Sequence, residues 1–102
     1  IIAGGDIAVL NSIENAEDDL SQAIEAVLKK SINSQDVLIG LAASGNTPFT
    51  CKVLEEAYKK DALTVAISNN PNGKLLKFGK CKIIIDTRGK FNNIKRENIL
   101  QL

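Results

Sequence analysis

The sequence predicts an α/β fold built on a parallel β-sheet. Three short apolar runs, Val37–Ala42, Leu63–Ile67 and Cys81–Ile85, have the length and composition of buried strands. Segments with apolar residues at helical spacing lie between these runs. Strands that alternate with helices favour parallel βαβ units with right-handed crossovers. The ligand of such a sheet binds beyond the carboxyl ends of the strands, so the functional site is expected there.

Two helical patterns precede the first complete strand. The chain starts with Ile1–Ala3, which is predicted to be the end of a strand, and Gly4-Gly5-Asp6 then forms a turn. The helical spacing is carried by Ile7, Leu10 and Ile13, and then by Leu20, Ile24, Val27 and Leu28. Acidic residues start the second pattern and Lys29-Lys30 end it, an order that suits the helix dipole.

The second half of the chain repeats the alternation of helix and strand. One helix is predicted from Phe49 to about Lys60, with a polar turn at Ser68–Gly73 and a helical turn at Lys74–Phe78 further on. The buried side of the helix from Phe49 to Lys60 is predicted to consist of Phe49, Val53, Leu54, Ala57 and Tyr58. We divide the chain into a partial domain at residues 1–86 and a C-terminal tail at 87–102. This tail is predicted to be a loosely packed end or a short helix.

The composition is typical of one globular domain. The chain has 102 residues, of which 44% are hydrophobic and 25% charged. The net charge of +1 and the aromatic content of 4% do not favour binding to nucleic acid or to an anionic membrane. The apolar runs are far shorter than the roughly 20 residues of a membrane span, and a signal-peptide pattern is lacking. We therefore expect a cytoplasmic protein.

The residue types narrow the chemistry further. The chain contains no histidine, which removes histidine-based triads and most zinc sites, and neither a metal nor a cofactor is expected. Cys51 and Cys81 lie far apart in sequence and are predicted to be free thiols in a reducing compartment. No activating base is evident beside either of them, so neither is predicted to be a nucleophile.

The most informative stretch is Ser44-Gly45-Asn46-Thr47-Pro48, between the first complete strand and the next helix. The first N–H groups of a helix have no internal partner, and the helix dipole attracts anions there. Pro48 suits the first helical position and Thr47 is a good N-cap. The stretch therefore predicts an anion site, with a plain capped helix as the alternative.

Two further loops of small polar residues fall at the same predicted edge of the sheet. Gly4-Gly5 follows the first apolar segment, and Ser68–Asn70 follows the strand after Ser44–Thr47. The coincidence of the three loops favours a small polar or phosphorylated ligand. Taken individually, Ser68 and Asn70 are also ordinary turn residues.

Four motifs together resemble the N-acetylmuramic acid 6-phosphate etherases, which are sugar isomerase (SIS) domain enzymes. In chain order they are Ile2-Ala3-Gly4-Gly5-Asp6, Ile13-Glu14-Asn15-Ala16-Glu17-Asp18, Asp36–Pro48 with its Ala42-Ala43-Ser44-Gly45-Asn46-Thr47-Pro48 end, and Thr64–Pro71. The resemblance runs from Ile1 to about Asp86 and corresponds to the middle portion of such an enzyme.

This resemblance implies a flavodoxin-like three-layer sandwich that binds a sugar phosphate and forms a homodimer. It also implies cleavage of a D-lactyl ether to N-acetylglucosamine 6-phosphate and D-lactate, by carboxylates without a metal, in amino sugar catabolism. Glu17 falls on one catalytic carboxylate of the family. Ser44, Gly45, Asn46 and Thr47 fall on the phosphate- and sugar-binding loop, and Ser68 and Asn70 on the next loop; Gly4 and Gly5 complete the predicted binding residues.

The chain also departs from the pattern that it resembles. The upstream half of the domain, with the second catalytic glutamate, has no counterpart, and Asn46 stands where the family usually has arginine. We therefore expect a fragment or a shortened gene product that lacks a complete catalytic site. Three functions stay open: an etherase completed by other residues, a non-catalytic sugar-phosphate-binding module like the glucokinase regulatory proteins, and a decayed remnant. We favour binding over catalysis, and interpret Arg88 and Lys90 as a charge cluster of the tail.

Overall fold

The described residues form a four-stranded parallel sheet with helices packed on one of its faces. A computed structural model describes residues 1–91 and 98–101. The strands are β1 (Val37–Leu41), β2 (Leu63–Ser68), β3 (Cys81–Asp86) and β4 (Ile99–Gln101). They lie side by side in the order β1-β2-β3-β4, and every neighbouring pair is parallel. The α/β class with a parallel sheet is confirmed.

The two α-helices follow the sequence pattern closely. They are α1 (Leu20–Lys29) and α2 (Pro48–Lys59), with 3₁₀ segments at Gly5–Val9, Ala16–Asp18 and Lys74–Phe78. The first helical pattern, Ile7 to Ile13, yields only the short segment Gly5–Val9, whereas α2 starts at Pro48 as predicted. Within the described residues, no helix is long and apolar enough to cross a membrane.

One hydrophobic cluster joins the sheet to α2 and to the segment Lys74–Phe78. Leu54, Ala66, Leu75 and Ile84 are almost wholly inaccessible to water. Gly40 on β1 lets this cluster close, because a Cβ there would lie 3.1 Å from Leu54 Cδ2 and 3.2 Å from Leu75 Cδ1. A glycine in the strand thus allows the helix to approach the sheet closely.

A second cluster fixes α1 against α2. Ala23 and Val27 on α1 pack with Phe49 and Val53 on α2. Asp19 caps α1 by accepting a hydrogen bond from the Gln22 N–H at 2.9 Å. The N-terminal third of the chain is therefore attached to the sheet through α2.

The opposite face of the sheet stays open at its β1 side. Val37, Ile39 and Leu41 are 59%, 64% and 69% exposed, although the continuous apolar run predicted a strand covered on both faces. Within the described residues, α2 covers only the face that carries Leu38 and Gly40. The second helical layer of a three-layer sandwich is not formed by this part of the chain.

Two sequence predictions about the ends of the chain were wrong. Ile1–Ala3 forms no strand, because its backbone pairs with none of the described strands. The tail was expected to be loose or helical, but Ile99–Gln101 forms β4 and pairs with β3. A strand of three residues is too short to be recognised from its sequence pattern, and β4 forms because it pairs with β3. Ile94, part of the weak periodicity of the tail, lies outside the described residues.

The loops that follow β1 and β2 are clasped together at two glycines. Gly45 has a φ of +69°, and a Cβ built on it would lie 2.6 Å from Ser68 Oγ and 2.7 Å from Gly73 Cα. The Leu75 N–H donates to the Gly45 carbonyl at 2.8 Å, and the Asn70 side-chain amide donates to the Ser44 carbonyl at 2.9 Å. This clasp, Gly45 against Gly73, fixes the path of the Ser44–Thr47 loop.

A buried carboxylate organises the loop after β3. Asp86 is 3% exposed, and its two oxygens accept the N–H groups of Arg88, Lys90 and Phe91 at 3.2, 3.1 and 3.0 Å. Burial alone would raise the pKa of this carboxyl, but the backbone donors of residues 88–91 together hold its pKa below the ordinary value. The loop is therefore wrapped around an anion of the chain itself.

We expect Gly45→Ala to destabilise the fold much more than Gly5→Ala. Both glycines have a positive φ, of +69° and +68°, so each alanine bears a similar backbone cost of about 1–2 kcal/mol. Only at Gly45 does the new methyl group meet Ser68 and Gly73, which adds about 1–3 kcal/mol of overpacking. Urea unfolding of the two variants measures the difference. Equal losses of stability would show that the clasp is not tight.

We expect the stability contributed by Asp86 to vanish in acid. Its pKa is lower in the folded than in the unfolded state, so it stabilises the fold above about pH 4 and this stabilisation is lost as the pH falls through the folded-state value. Asp86→Asn should therefore be less stable than the parent chain at pH 7, and the difference should shrink as the pH falls below about 4. Urea unfolding across this range tests the prediction.

Asp6→Asn is the matched control, because Asp6 is exposed and its carboxylate accepts no hydrogen bond from the described residues. Its unfolding profile should run parallel to that of the parent chain. A constant gap between Asp86→Asn and the parent chain at every pH would contradict the role given to the buried carboxylate.

Candidate functional site

The candidate site lies at the carboxyl edge of the sheet, where β1 passes into α2. The connection Ala42–Thr47 turns over the sheet edge, and α2 begins at Pro48 in the first helical position, as predicted. Thr47 occupies the N-cap position, but its side chain makes no capping hydrogen bond. The hydroxyl that normally closes a helix N-terminus is thus left for another partner.

The backbone at this helix start is also unpaired. Proline carries no N–H, and the N–H groups of Thr47, Phe49 and Thr50 have no acceptor among residues 1–91 and 98–101. The first intrahelical bond at this end runs from the Cys51 N–H to the Thr47 carbonyl at 3.0 Å. Unpaired N–H groups at a helix N-terminus, together with the helix dipole, attract negative charge.

Ser44 shapes the loop without losing its capacity to donate. Its Oγ accepts the Asn46 N–H at 3.1 Å, which closes a small turn, and its hydroxyl proton has no acceptor among the described residues. The side chain is exposed. Ser44 and Thr47 therefore both offer hydroxyl donors at the helix start.

Ser44 and Thr47 line a cavity of about 940 Å³. Its lining includes β1, the α2 residues Phe49, Thr50 and Val53, the N-terminal Ile1–Ala3, and Ala16 with Glu17. The volume lies within the usual range of small-molecule sites. Thr50 is a polar lining residue that the sequence analysis missed, and its position three residues after Thr47, on the same side of the helix, is the signal that could have identified it.

Glu17 lines the same cavity as Ser44 and Thr47. It belongs to the 3₁₀ segment Ala16–Asp18, which packs against α2 through the buried Ala16. The Glu17 side chain is exposed. The structure thus brings together three of the predicted site residues: Glu17, Ser44 and Thr47.

The other residues of the predicted binding loops are engaged within the protein. The Ser68 hydroxyl is buried; it accepts the Asn70 N–H at 2.9 Å and lies 3.3 Å from the Ala43 and Asn70 carbonyls. Asn70 uses its amide on the Ser44 carbonyl and its oxygen on the Asn72 N–H. Asn46 accepts the Lys74 N–H at 3.1 Å. In this structure these side chains hold the loop together, and a role in binding for them stays a prediction.

Gly4 and Gly5 lie at the start of the 3₁₀ segment Gly5–Val9 and do not line the cavity. The Gly4 N–H donates to Gln22 Oε1 at 2.8 Å, and a Cβ on Gly4 would lie 2.9 Å from Ala8 Cβ. Gly4 therefore serves the turn that leads into the first helical segment. No contact in the described residues supports the predicted binding role of Gly4 and Gly5, which stays a prediction.

The charged side of α2 is occupied by ion pairs. Lys52 and Lys59 each lie 3.0 Å from both Glu55 and Glu56. The hydrogen bonds that Lys52 and Lys59 donate to Glu56 and Glu55 raise the pKa of both lysines. Both lysine charges are therefore paired with carboxylates of α2 itself.

The cysteines and the acidic residues offer no second chemistry in the described part of the chain. Cys51 and Cys81 are free thiols, as predicted. Burial raises the pKa of Cys51 more than the neighbouring Lys74 lowers it, so the thiolate is disfavoured. The described residues contain no cluster of three or more ligands that could hold a metal ion.

Comparison with known proteins places the sequence in a family. A family profile described as the glucokinase regulatory protein N-terminal SIS domain matches residues 1–58. An N-acetylmuramic acid 6-phosphate etherase of Bacteroides thetaiotaomicron is 47% identical over 75 residues, which cover 74% of this chain and 27% of that protein. The enzyme of the same name from Clostridium acetobutylicum is 41% identical over 83 residues, or 81% of this chain and 28% of that protein.

A third relative, from Actinobacillus pleuropneumoniae, bears the same name and is 42% identical over 87 residues. These residues cover 85% of this chain and 28% of that protein. The chain thus spans a little over a quarter of the length of the curated relatives that it matches. The resemblance inferred from the motifs is confirmed: the chain belongs to the SIS-domain family of the N-acetylmuramic acid 6-phosphate etherases.

Proposed function

We propose that this chain is a sugar-phosphate-binding SIS domain of the etherase type. Its ligand is a 6-phosphorylated N-acetylamino sugar, and the phosphate binds at the start of α2. The names of the relatives supply the ligand class, since they act on N-acetylmuramic acid 6-phosphate. The site supplies the chemistry, because an anion fits a helix N-terminus whose N–H groups are unpaired.

The observation that carries this proposal is the Thr47 side chain. It lies at the N-cap of α2, makes no capping bond and lines the cavity. A capping hydroxyl typically contributes about 1 kcal/mol to helix stability, and that contribution is absent here. A ligand phosphate in the mouth of the helix would accept hydrogen bonds from Thr47, Ser44 and the backbone together.

Glu17 gives the proposed ligand a reactive neighbour. Cleavage of a lactyl ether by elimination requires one group to remove a proton from the sugar and another to protonate the leaving oxygen. A carboxylate can perform either step when it lies within reach of the proton. Glu17 lines the same cavity as Ser44 and Thr47, which suits a group acting on a sugar whose phosphate those two residues hold.

Binding without turnover is the form of this function that we favour for the chain by itself. Among the cavity-lining residues of the described chain, Glu17 is the one carboxylate, whereas the reaction needs both an acid and a base. The matching profile belongs to a regulatory protein. An etherase activity in amino sugar catabolism, in the cytoplasm and as a homodimer, would require a second catalytic group from residues beyond these.

We expect Thr47→Val to weaken binding of N-acetylglucosamine 6-phosphate without destabilising the fold. Valine keeps the shape of threonine and removes a hydroxyl that has no partner in the described residues. A hydrogen bond to a charged group contributes about 1.5–3 kcal/mol, so affinity should fall about tenfold or more. The unfolding free energy should change by no more than about 0.5 kcal/mol. Amide chemical shifts of residues 44–50 report the binding.

The matched control is Ser34→Ala, which removes an exposed hydroxyl in the loop before β1. It should leave both affinity and stability unchanged. Absence of any shift at Ser44–Thr47 with ligand at a concentration on the order of 10 mM would remove the binding proposal. A large loss of stability in Thr47→Val would instead show that the hydroxyl serves the helix.

We expect no release of D-lactate when this chain alone is incubated with N-acetylmuramic acid 6-phosphate. A single carboxylate in the cavity can supply one of the two proton transfers. An enzymatic assay for D-lactate measures the reaction, with Glu17→Gln as the comparison. Release by the parent chain that disappears in Glu17→Gln would establish the etherase and overturn this expectation.

A further inference from the structure

A second cavity opens at the same edge of the sheet, beyond the end of β3. It has a volume of about 390 Å³ and includes Thr87, Arg88 and Lys90 in its lining, with Phe91 and Ile85 as apolar walls. The sequence alone favours a charge cluster of the tail for Arg88 and Lys90. The structure instead holds them on a loop that is wrapped around the buried Asp86 carboxylate.

The charges of this cavity favour an anion. Neither Arg88 nor Lys90 lies within 4 Å of an acidic side chain among the described residues, whereas Lys52 and Lys59 are both paired. The one acid in the lining, Asp86, directs its oxygens to the N–H groups of Arg88, Lys90 and Phe91. The lining thus contains two cations and a single carboxylate, whose oxygens already accept backbone hydrogen bonds. The Thr87 hydroxyl, which has no partner in the described chain, adds a further donor.

The second cavity adjoins the first. Ala43 lines both of them and directly precedes Ser44 in the binding loop. The Asn69 N–H donates to the Ala43 carbonyl at 3.0 Å, and the Asn69 amide donates to the Ile85 carbonyl at 3.0 Å, so the ends of β1, β2 and β3 are fixed relative to one another. Since β1 and β3 flank β2, their ends are about 10 Å apart, twice the spacing of neighbouring strands. A hexose substituted at both ends can extend over that distance.

We propose that Arg88, Lys90 and Thr87 form a second anion subsite, which binds the carboxylate of a ligand whose phosphate lies at the start of α2. This inference rests on the proposed function. It defines the ligand class more narrowly, as a sugar that carries an acidic ether substituent besides its phosphate. The subsite would make the chain prefer N-acetylmuramic acid 6-phosphate to N-acetylglucosamine 6-phosphate, because only the former carries a lactyl carboxylate.

The test compares the affinities for these two compounds, measured by the same amide-shift titration. The parent chain should bind N-acetylmuramic acid 6-phosphate about tenfold more tightly, as expected for charge-assisted hydrogen bonds to one carboxylate. The double variant Arg88→Gln/Lys90→Gln should lose this preference and keep its affinity for N-acetylglucosamine 6-phosphate within about twofold, because the phosphate site is unchanged. The lactyl compound should also shift the amides of residues 87–91 in the parent chain.

Lys77→Gln/Lys82→Gln is the control for net charge, since it removes two exposed positive charges outside both cavities. It should retain the preference, which excludes a general electrostatic effect. Equal affinity of the parent chain for the two compounds would overturn the subsite and leave the phosphate site intact. So would a preference that survives in Arg88→Gln/Lys90→Gln. If neither compound shifts residues 44–50, the proposed function fails, and the subsite fails with it.

Discussion

The approach of Gly45 to Gly73 is the constraint on which the site depends. The two loops meet so closely that a single methyl group on either glycine would displace the other backbone. Hydrogen bonds from Leu75 to Gly45 and from Asn70 to Ser44 then fix the loop between β1 and α2. Because the loop is held from the side of β2, the start of α2 needs no bond from its own N-cap. The fold is thus able to leave that helix end open toward the cavity.

Polar groups at the sheet edge fall into two sets with different tasks. One set, Ser68, Asn70 and Asn46, forms hydrogen bonds within and between the neighbouring loops, and Ser68 is buried as well. Thr47 and Ser44 keep hydroxyl donors that the described residues do not use. Small polar residues of the same chemical types therefore have two roles: some hold the loops in place, and others offer free donors to a ligand. Composition alone cannot separate these sets, because the separation arises from contacts between loops that are 25 or more residues apart in sequence.

Sequence patterns predicted the elements with strong local signals. The strands β1 to β3 are continuous apolar runs, and Pro48 marks the start of α2, so each could be recognised without its partners. β4 could not be recognised in this way, since three residues are too few to show a periodic pattern and the strand forms only by pairing with β3. The exposure of Val37, Ile39 and Leu41 also escaped prediction, because an apolar run does not reveal whether a second layer covers it. In the site, Glu17, Ser44 and Thr47, which the motif resemblance had singled out, line one cavity, whereas Thr50 and the cavity at Arg88 depend on tertiary placement.

The charge of the site argues for a ligand that is held at two points. Asn46 stands where the resemblance leads one to expect an arginine. Its side-chain oxygen accepts the Lys74 N–H, and it carries no positive charge. Neutral donors and a helix dipole attract a phosphate less strongly than a bidentate guanidinium does. A ligand bound only there would therefore be held weakly. Cations follow the end of β3, about two strand spacings from the end of β1, and a second acidic group on the same ligand could recover the lost attraction without any change at the helix start. Affinity and selectivity would then arise from different strands of one sheet edge.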